Sequence, residues 1–133
     1  MAQILVVEDD SALQLLLKEA LGKLGHEVYV ASNGMEAIEQ LQVEGFELII
    51  TDLIMPKMDG IEFIREVKAI IETPPPIIVI SGGSNPASDS HLEAAKIAGA
   101  GLVLTKPFKK QQLVDAVQRM LQSGGRSSGW TNS

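Results

Sequence analysis

Residues 48–64 read LIITDLIMPKMDGIEFI and combine the sequence patterns of a strand, a turn and a helix start. Leu48–Ile50 is a continuous apolar run, which is typical of a strand buried on both faces. Asp59 can cap a helix. The residues after it form a stripe at helical spacing, which is apolar except where Lys68 replaces Val67: Ile61, Ile64, Val67 or Lys68, and Ile71. A buried strand followed by an amphipathic helix is the repeating unit of a parallel α/β sheet.

The same unit recurs along the chain. Four more apolar runs predict strands: Ile4–Val7, Val28–Ala31, Ile77–Ile80 and Leu102–Leu104. Three more stripes predict helices: Leu13, Leu16, Leu17, Ala20, Leu21 and Leu24; Met35, Ile38 and Leu41; Leu113, Val117, Met120 and Leu121. Ser88–Ala98 is the weakest helical stretch. Helix boundaries are expected at Asp10 or Ser11, Gly25, Asn33-Gly34 and Pro74-Pro75-Pro76. The alternation predicts a doubly wound, five-stranded parallel α/β sheet with helices on both faces.

Composition limits the possible functions. The chain has 133 residues, 45% of them hydrophobic, a net charge of −6 and no cysteine, so one folded domain without disulfides is expected. An acidic chain without basic clusters argues against direct nucleic-acid binding. The N-terminus is no signal peptide, no apolar run is long enough for membrane insertion, and a cytoplasmic location is expected. Residues 1–122 form the predicted domain, and residues 123–133 read as a flexible tail.

Polar residues with related chemistry follow the predicted strands. They are Glu8, Asp9 and Asp10 after the first strand, Asp52 after the third, Ser81 after the fourth and Lys106 after the fifth. The carboxyl ends of parallel strands meet at one edge, where ligands bind. Crowded carboxylates favour a hard cation, so we expect Mg²⁺ held by Asp9 and Asp52, with Glu8 acting through water. The same cation would neutralise an incoming phosphate, and phosphoryl transfer needs mainly positioning and charge stabilisation. Lys106 and Ser81 would then contact the phosphate oxygens, and Asp52 would be the nucleophile.

Each of these residues also has a simpler interpretation. A lone Asp after a strand is usually a turn or cap residue, and an acidic run is usually a solvated helix start. Ser81 could simply precede a glycine-rich loop, and Lys106 could be a surface lysine. Their joint placement at one edge of the sheet favours a common site.

Four segments resemble the receiver domains of two-component response regulators. They are ILVVEDD at residues 4–10, DLIMPKMDG at 52–60, ISGG at 80–83 and LTKPF at 104–108, in the family's order over residues 3–122. The resemblance implies a flavodoxin-like strand order of 2-1-3-4-5, Mg²⁺ as cofactor, and a histidine kinase or histidine phosphotransfer protein as phosphodonor. It also implies that a downstream protein binds the face formed by the fourth helix, fifth strand and fifth helix.

The resemblance assigns roles to individual residues. Asp52 is the phosphoacceptor, Asp9 a direct metal ligand, Glu8 a ligand through water, Ile54 a ligand through its backbone carbonyl, Ser81 the switch hydroxyl and Lys106 the phosphate's ion-pair partner. A cis Lys106-Pro107 bond is also implied. Val103 departs from the pattern, because family members often carry an aromatic residue there. We therefore expect phosphorylation to act mainly by ordering the loop 82–86 and shifting the helix 88–98.

Three other functions fit parts of this pattern. A phosphatase of the haloacid-dehalogenase type needs a second Asp where this chain has Ile54, so a signalling module rather than an enzyme is expected. A flavin-binding module needs a phosphate-binding loop where this chain has Glu8-Asp9-Asp10. A degenerate receiver, which binds partners without phosphorylation, is the alternative that keeps the fold.

Overall fold

The fold alternates strands and helices along the chain. The computed structural model describes residues 2–53, 55, 57–82, 96 and 98–124, with only the backbone of residues 123 and 124. Its elements are β1 (Gln3–Val7), α1 (Ser11–Gly22), β2 (Glu27–Ala31), α2 (Gly34–Val43), β3 (Leu48–Asp52), α3 (Gly60–Ile70), β4 (Ile77–Gly82), β5 (Leu102–Lys106) and α4 (Lys110–Gly124). Most of the helix predicted at 88–98 lies outside the described residues, although Lys96 and Ala98 are helical.

The five strands form one parallel sheet in the order β2-β1-β3-β4-β5. This order and the parallel pairing of every neighbouring strand confirm the predicted doubly wound topology. Within the described residues no helix is long and apolar enough to cross a bilayer. The helix α4 extends to Gly124, two residues beyond the predicted domain boundary at 122, and residues 125–133 lie outside the described part.

The sheet has an apolar core on each face because successive strand residues point to opposite sides. Ile50 of β3 packs in one core with residues of α1 and α4, including Leu17 and Val117. Its neighbour Ile49 packs in the other core with residues of α2 and α3, including Phe63. The strands are therefore buried on both faces, which explains their nearly continuous apolar sequence.

The predicted caps at Asp10 and Asp59 are confirmed, and Asn33, which was predicted only as part of a turn, caps α2 in the same way. The side chains of Asp10, Asn33 and Asp59 accept hydrogen bonds from backbone N–H groups in the first turns of α1, α2 and α3. Each bond satisfies a donor that the helix itself leaves unpaired. Gly25 lies two residues beyond the α1 cap at Lys23 and has φ +91, a left-handed conformation that favours glycine.

Three apolar side chains that were predicted to face the core are exposed. Leu16 is 55% exposed, Leu24 44% and Met35 56%, so these three predictions were wrong, and Leu24 lies beyond the end of α1. In α1 the buried stripe runs through Leu17 and Leu21, and Leu16 projects about a quarter-turn away from it. In α2 the first turn carries Met35 to a side that the sheet does not cover. Helical spacing alone did not distinguish the centre of the stripe from its margin.

Candidate functional site

Asp52 is the last residue of β3, and its two carboxylate oxygens have different partners. The Leu53 N–H donates to Asp52 Oδ1 at 2.8 Å. Asp52 Oδ2 lies 3.8 Å from the Nζ of Lys106, at the end of β5. The Asp52 side chain is only 12% exposed, whereas that of Lys106 is 35% exposed. One oxygen is thus held by the backbone, while the other faces a cation at the rim of the site.

Glu8 follows β1 and is almost completely buried, at 1% exposure. Its Oε2 accepts a hydrogen bond from the Asp10 N–H at 3.0 Å, and its backbone carbonyl accepts one from the Gln14 side chain. Its other carboxylate oxygen, Oε1, is buried and has no hydrogen-bond partner among the described residues. A buried polar atom without a partner is costly, so this oxygen marks a place for a ligand or a water.

Three carboxylates converge next to this oxygen. Glu8, Asp9 and Asp52 each offer a carboxylate oxygen, and these atoms lie within 4.8 Å of one another. Glu8 is buried, Asp52 is partly buried and Asp9 is exposed, so the cluster opens to solvent on one side. Hard divalent cations bind oxygen ligands of this kind. The orphaned Glu8 oxygen and the set of three carboxylates therefore fit the Mg²⁺ that the sequence led us to expect.

The surroundings of Glu8 and Asp52 disfavour the ionised form of both side chains in the absence of a cation. Burial raises the pKa of Glu8 to about 7, helped by the charge of Asp52 and opposed by the Asp10 N–H. Burial also raises the pKa of Asp52, and the nearby charge of Asp9 adds to it, while Lys106 and the Leu53 N–H act in the opposite direction. Desolvation and like charges both favour the protonated acid, whereas a bound cation would favour the ionised carboxylates.

Ser81 and Lys106 lie at the ends of the next two strands. The register pairs Ser81 with Thr105 and Gly82 with Lys106, so β4 and β5 end at nearly the same level. Ser81 is 1% exposed, and its hydroxyl has no hydrogen-bond partner among the described residues. The Lys106-Pro107 peptide is cis, as the family resemblance implied. The assigned roles of Ser81 and Lys106 remain predictions.

Two other predicted positions have different outcomes. Ile54, the expected backbone ligand, lies outside the described residues. Val103 is partly buried and packs against the core on the α2 and α3 side, in the place where the family often has an aromatic ring. The glycine-rich loop and the helix 88–98 lie largely outside the described part of the chain, so their expected ordering stays a prediction.

Sequence reasoning missed two residues, Thr51 and Gly60, that contact the backbone of Asp52 and Leu53. The Thr51 hydroxyl donates to the Asp52 carbonyl at 2.9 Å, and Gly60 N–H donates to the Leu53 carbonyl at 2.7 Å. A Cβ added to Gly60 would lie 2.7 Å from the Asp52 carbonyl oxygen and 2.8 Å from the Leu53 Cα. The start of α3 therefore presses directly on the Asp52–Leu53 peptide. Only the glycine in the Asp59-Gly60 pair hinted at this close approach.

Comparison with known proteins gives the family. Residues 4–118 match the family model of the response regulator receiver domain. The response regulator receiver protein CpdR of Brucella abortus is 39% identical over 125 residues, which cover 91% of this chain and 98% of that protein.

Solved structures agree with this match. A signal receiver domain of a histidine kinase from Syntrophus aciditrophicus superimposes with a TM-score of 0.85 and 32% identity, covering 96% of this chain and 95% of that one. The receiver domain of a sensor histidine kinase from Pseudomonas aeruginosa, solved with a magnesium ion in its active-site cleft, gives a TM-score of 0.80 and 29% identity over 92% of this chain and 98% of that one. Sequence, topology and strand-end chemistry lead to one conclusion: this chain belongs to the receiver domain family of two-component response regulators.

Proposed function

We propose that Asp52 accepts a phosphoryl group from a histidine kinase or a histidine phosphotransfer protein, and that this modification switches the binding of a downstream protein. The observation that carries the proposal is the cluster of Glu8, Asp9 and Asp52 oxygens within 4.8 Å, with Lys106 Nζ 3.8 Å from Asp52 Oδ2. Carboxylates crowded beside an ammonium group provide a nucleophile, a cation site and a phosphate partner in one place.

The chemical step is a phosphoryl transfer. A carboxylate oxygen of Asp52 forms a bond to phosphorus as the bond from phosphorus to the donor's oxygen or nitrogen breaks, and the donor keeps that electron pair. Lys106 stabilises the charge on the phosphoryl oxygens, and Ser81 donates its hydroxyl hydrogen to one of them. One phosphoryl group is taken up per Asp52 side chain. The chain itself is modified, which is why we assign it a signalling role rather than an enzyme's.

The residues that would hold Mg²⁺ are Asp9 and Asp52 directly, Ile54 through its backbone carbonyl, and Glu8 through water. When bound, the cation neutralises the carboxylates and the incoming phosphate. The Asp10 N–H keeps the Glu8 carboxylate turned toward the cluster. The Leu53 N–H fixes the rotation of the Asp52 carboxylate, which prepares its other oxygen for attack.

The proposal is tested by incubating the protein with Mg²⁺ and acetyl phosphate and measuring its intact mass. We expect a gain of one phosphoryl group, because the site positions a carboxylate for in-line attack. The gain should disappear in Asp52→Asn and in the presence of EDTA. Absence of an adduct with acetyl phosphate and with a phosphorylated phosphotransfer protein would instead favour the degenerate receiver.

The metal ligands are tested by exchanging neighbouring carboxylates for amides. Asp9→Asn should weaken Mg²⁺ binding by about 10-fold or more, because it removes a charged ligand from the cluster. Asp10→Asn is the matched control: it changes the net charge equally, and Asn serves as well at the α1 cap. Isothermal titration calorimetry gives both affinities. Equal losses in the two variants would contradict the assignment of Asp9, since only general electrostatics would then be at work.

The output would pass through the face formed by the helix 88–98, β5 and α4. Lys106 links the site to this face, because it lies 3.8 Å from Asp52 and is also the last residue of β5. A phosphoryl group adds negative charge and strong acceptors, so it would draw Lys106 and Ser81 and favour one of two arrangements of this face. A cytoplasmic location, a receiver domain over residues 1–122 and a flexible tail over 123–133 remain predictions of the sequence.

A further inference from the structure

The peptide that joins Asp52 to Leu53 is held on both sides. Its carbonyl oxygen accepts a hydrogen bond from the Thr51 hydroxyl at 2.9 Å. Its N–H lies 2.8 Å from Asp52 Oδ1 and 2.9 Å from the Ile80 carbonyl oxygen, so one hydrogen is shared between two acceptors. A shared hydrogen depends on the tilt of the peptide plane, because a small rotation strengthens one bond at the expense of the other.

On the β1 side of β3, pairing within the sheet no longer fixes the tilt of this peptide. Pairing between β1 and β3 ends at Val7 and Thr51, so Asp52 lies one residue beyond the last paired row on that side. There the Thr51 hydroxyl binds the Asp52 carbonyl, and Gly60 packs against the same oxygen. The hydroxyl also lies 3.8 Å from Met55 Sδ, but a carbonyl oxygen at 2.9 Å is the stronger acceptor for its single hydrogen.

We infer that Thr51 is a positioning residue for the phosphoacceptor: its hydroxyl holds the Asp52–Leu53 peptide so that the Leu53 N–H binds Oδ1 and Oδ2 stays directed at Lys106. The inference rests on the proposed function of Asp52. Thr51 does not touch the phosphoryl group, since its fully buried side chain lies on the same face of β3 as Ile49, which packs in the core formed with α2 and α3. It acts through the peptide that follows it.

A simpler role for Thr51 makes a different prediction. A buried hydroxyl needs an acceptor, and the nearest carbonyl would satisfy that need without any effect on Asp52. In that case Thr51→Val, which places a methyl group in an apolar environment, would leave phosphorylation unchanged. A positioning role instead predicts that chemistry slows even when the fold is retained, and that a hydroxyl alone restores it.

The test compares Thr51→Val, Thr51→Ser and Thr73→Val with the wild-type protein. Thr73 is exposed in the segment after α3 and controls for the same substitution away from the site. At saturating Mg²⁺ and acetyl phosphate, we expect Thr51→Val to be phosphorylated about 5- to 20-fold more slowly, because a small misplacement of a reacting group is costly in rate. Thr51→Ser and Thr73→Val should stay within about twofold of wild type, because both variants keep a hydroxyl at residue 51 that can bind the Asp52 carbonyl.

A second readout does not depend on phosphorylation. The Leu53 amide resonance in a ¹H–¹⁵N spectrum should move in Thr51→Val and keep its position in Thr51→Ser. Unchanged phosphorylation together with an unmoved Leu53 amide in Thr51→Val overturns the inference, as does equal slowing in Thr51→Ser. If wild-type protein takes up no phosphoryl group, the proposed function fails, and the Leu53 amide alone decides whether Thr51 positions the peptide.

Discussion

Gly60→Ala should destabilise the protein by roughly 3 kcal/mol and slow phosphorylation of Asp52 by about 100-fold. The added Cβ would lie 2.7 Å from the Asp52 carbonyl oxygen and 2.8 and 2.9 Å from the Leu53 Cα and carbonyl oxygen. All three contacts are backbone atoms, so no flexible side chain can move aside. Either α3 moves away from β3 or the Asp52–Leu53 peptide rotates, and both changes displace the carboxylate. Urea unfolding and the mass-based phosphorylation assay measure the two effects.

The chain offers a matched control for this substitution. Gly22 is the last residue of α1, and a Cβ added there meets nothing within 4 Å. Gly22→Ala should therefore leave phosphorylation unchanged and stabilise the protein by about 0.5 kcal/mol, because alanine loses less backbone entropy in a helix than glycine. If Gly60→Ala instead had the same stability and phosphorylation rate as Gly22→Ala, the result would contradict the close contact between Gly60 and the Asp52–Leu53 peptide.

Glu8→Gln should stabilise the Mg²⁺-free protein at pH 8 by on the order of 2–3 kcal/mol and raise its Tm by several degrees. Burial raises the pKa of Glu8 from 4.5 to about 7, so the folded state prefers the neutral acid. Above pH 7 the wild-type protein must hold a buried carboxylate beside Asp52. An amide removes that charge and still offers an oxygen to the Asp10 N–H.

The sign of the pH dependence follows from the direction of this shift. Between about pH 4.5 and 7 the unfolded chain binds fewer protons at Glu8 than the folded chain does. The free energy of unfolding therefore falls as pH rises through this window and levels off above it. The advantage of Glu8→Gln should be absent near pH 4.5 and complete near pH 8. Urea unfolding at several pH values, all with EDTA, gives the profile.

Two comparisons make this prediction specific. Glu39→Gln, an exposed glutamate on α2, should follow the wild-type stability profile at every pH. Saturating Mg²⁺ should stabilise the wild-type protein more than it stabilises Glu8→Gln. The cation meets three carboxylates in the wild-type protein and only two in the variant, so it binds the variant more weakly. A constant difference between wild type and Glu8→Gln across the pH range would contradict a buried, titrating Glu8.

Much of the fold was readable from the order of residues. Leu48–Ile50 and its counterparts are apolar on both faces, as a parallel strand covered by helices requires. Asp10, Asn33 and Asp59 are placed where helix starts need acceptors. These signals are local, so a short window contains them. The margins of the helical stripes were not readable, because Leu16 and Met35 are apolar residues that the neighbouring elements happen not to cover.

The chemical groups at the strand ends follow from residue order alone: carboxylates after β1 and at the end of β3, a hydroxyl in β4 and an ammonium group at the end of β5. The environment of each group depends on the folded chain. The tertiary structure buried Glu8 and left one of its oxygens unpaired, assigned Oδ1 of Asp52 to the Leu53 N–H and Oδ2 to Lys106, and set Thr51 and Gly60 against one peptide. Burial and close approach arise from packing between segments distant in the chain, and residue spacing does not encode the orientation of a peptide plane.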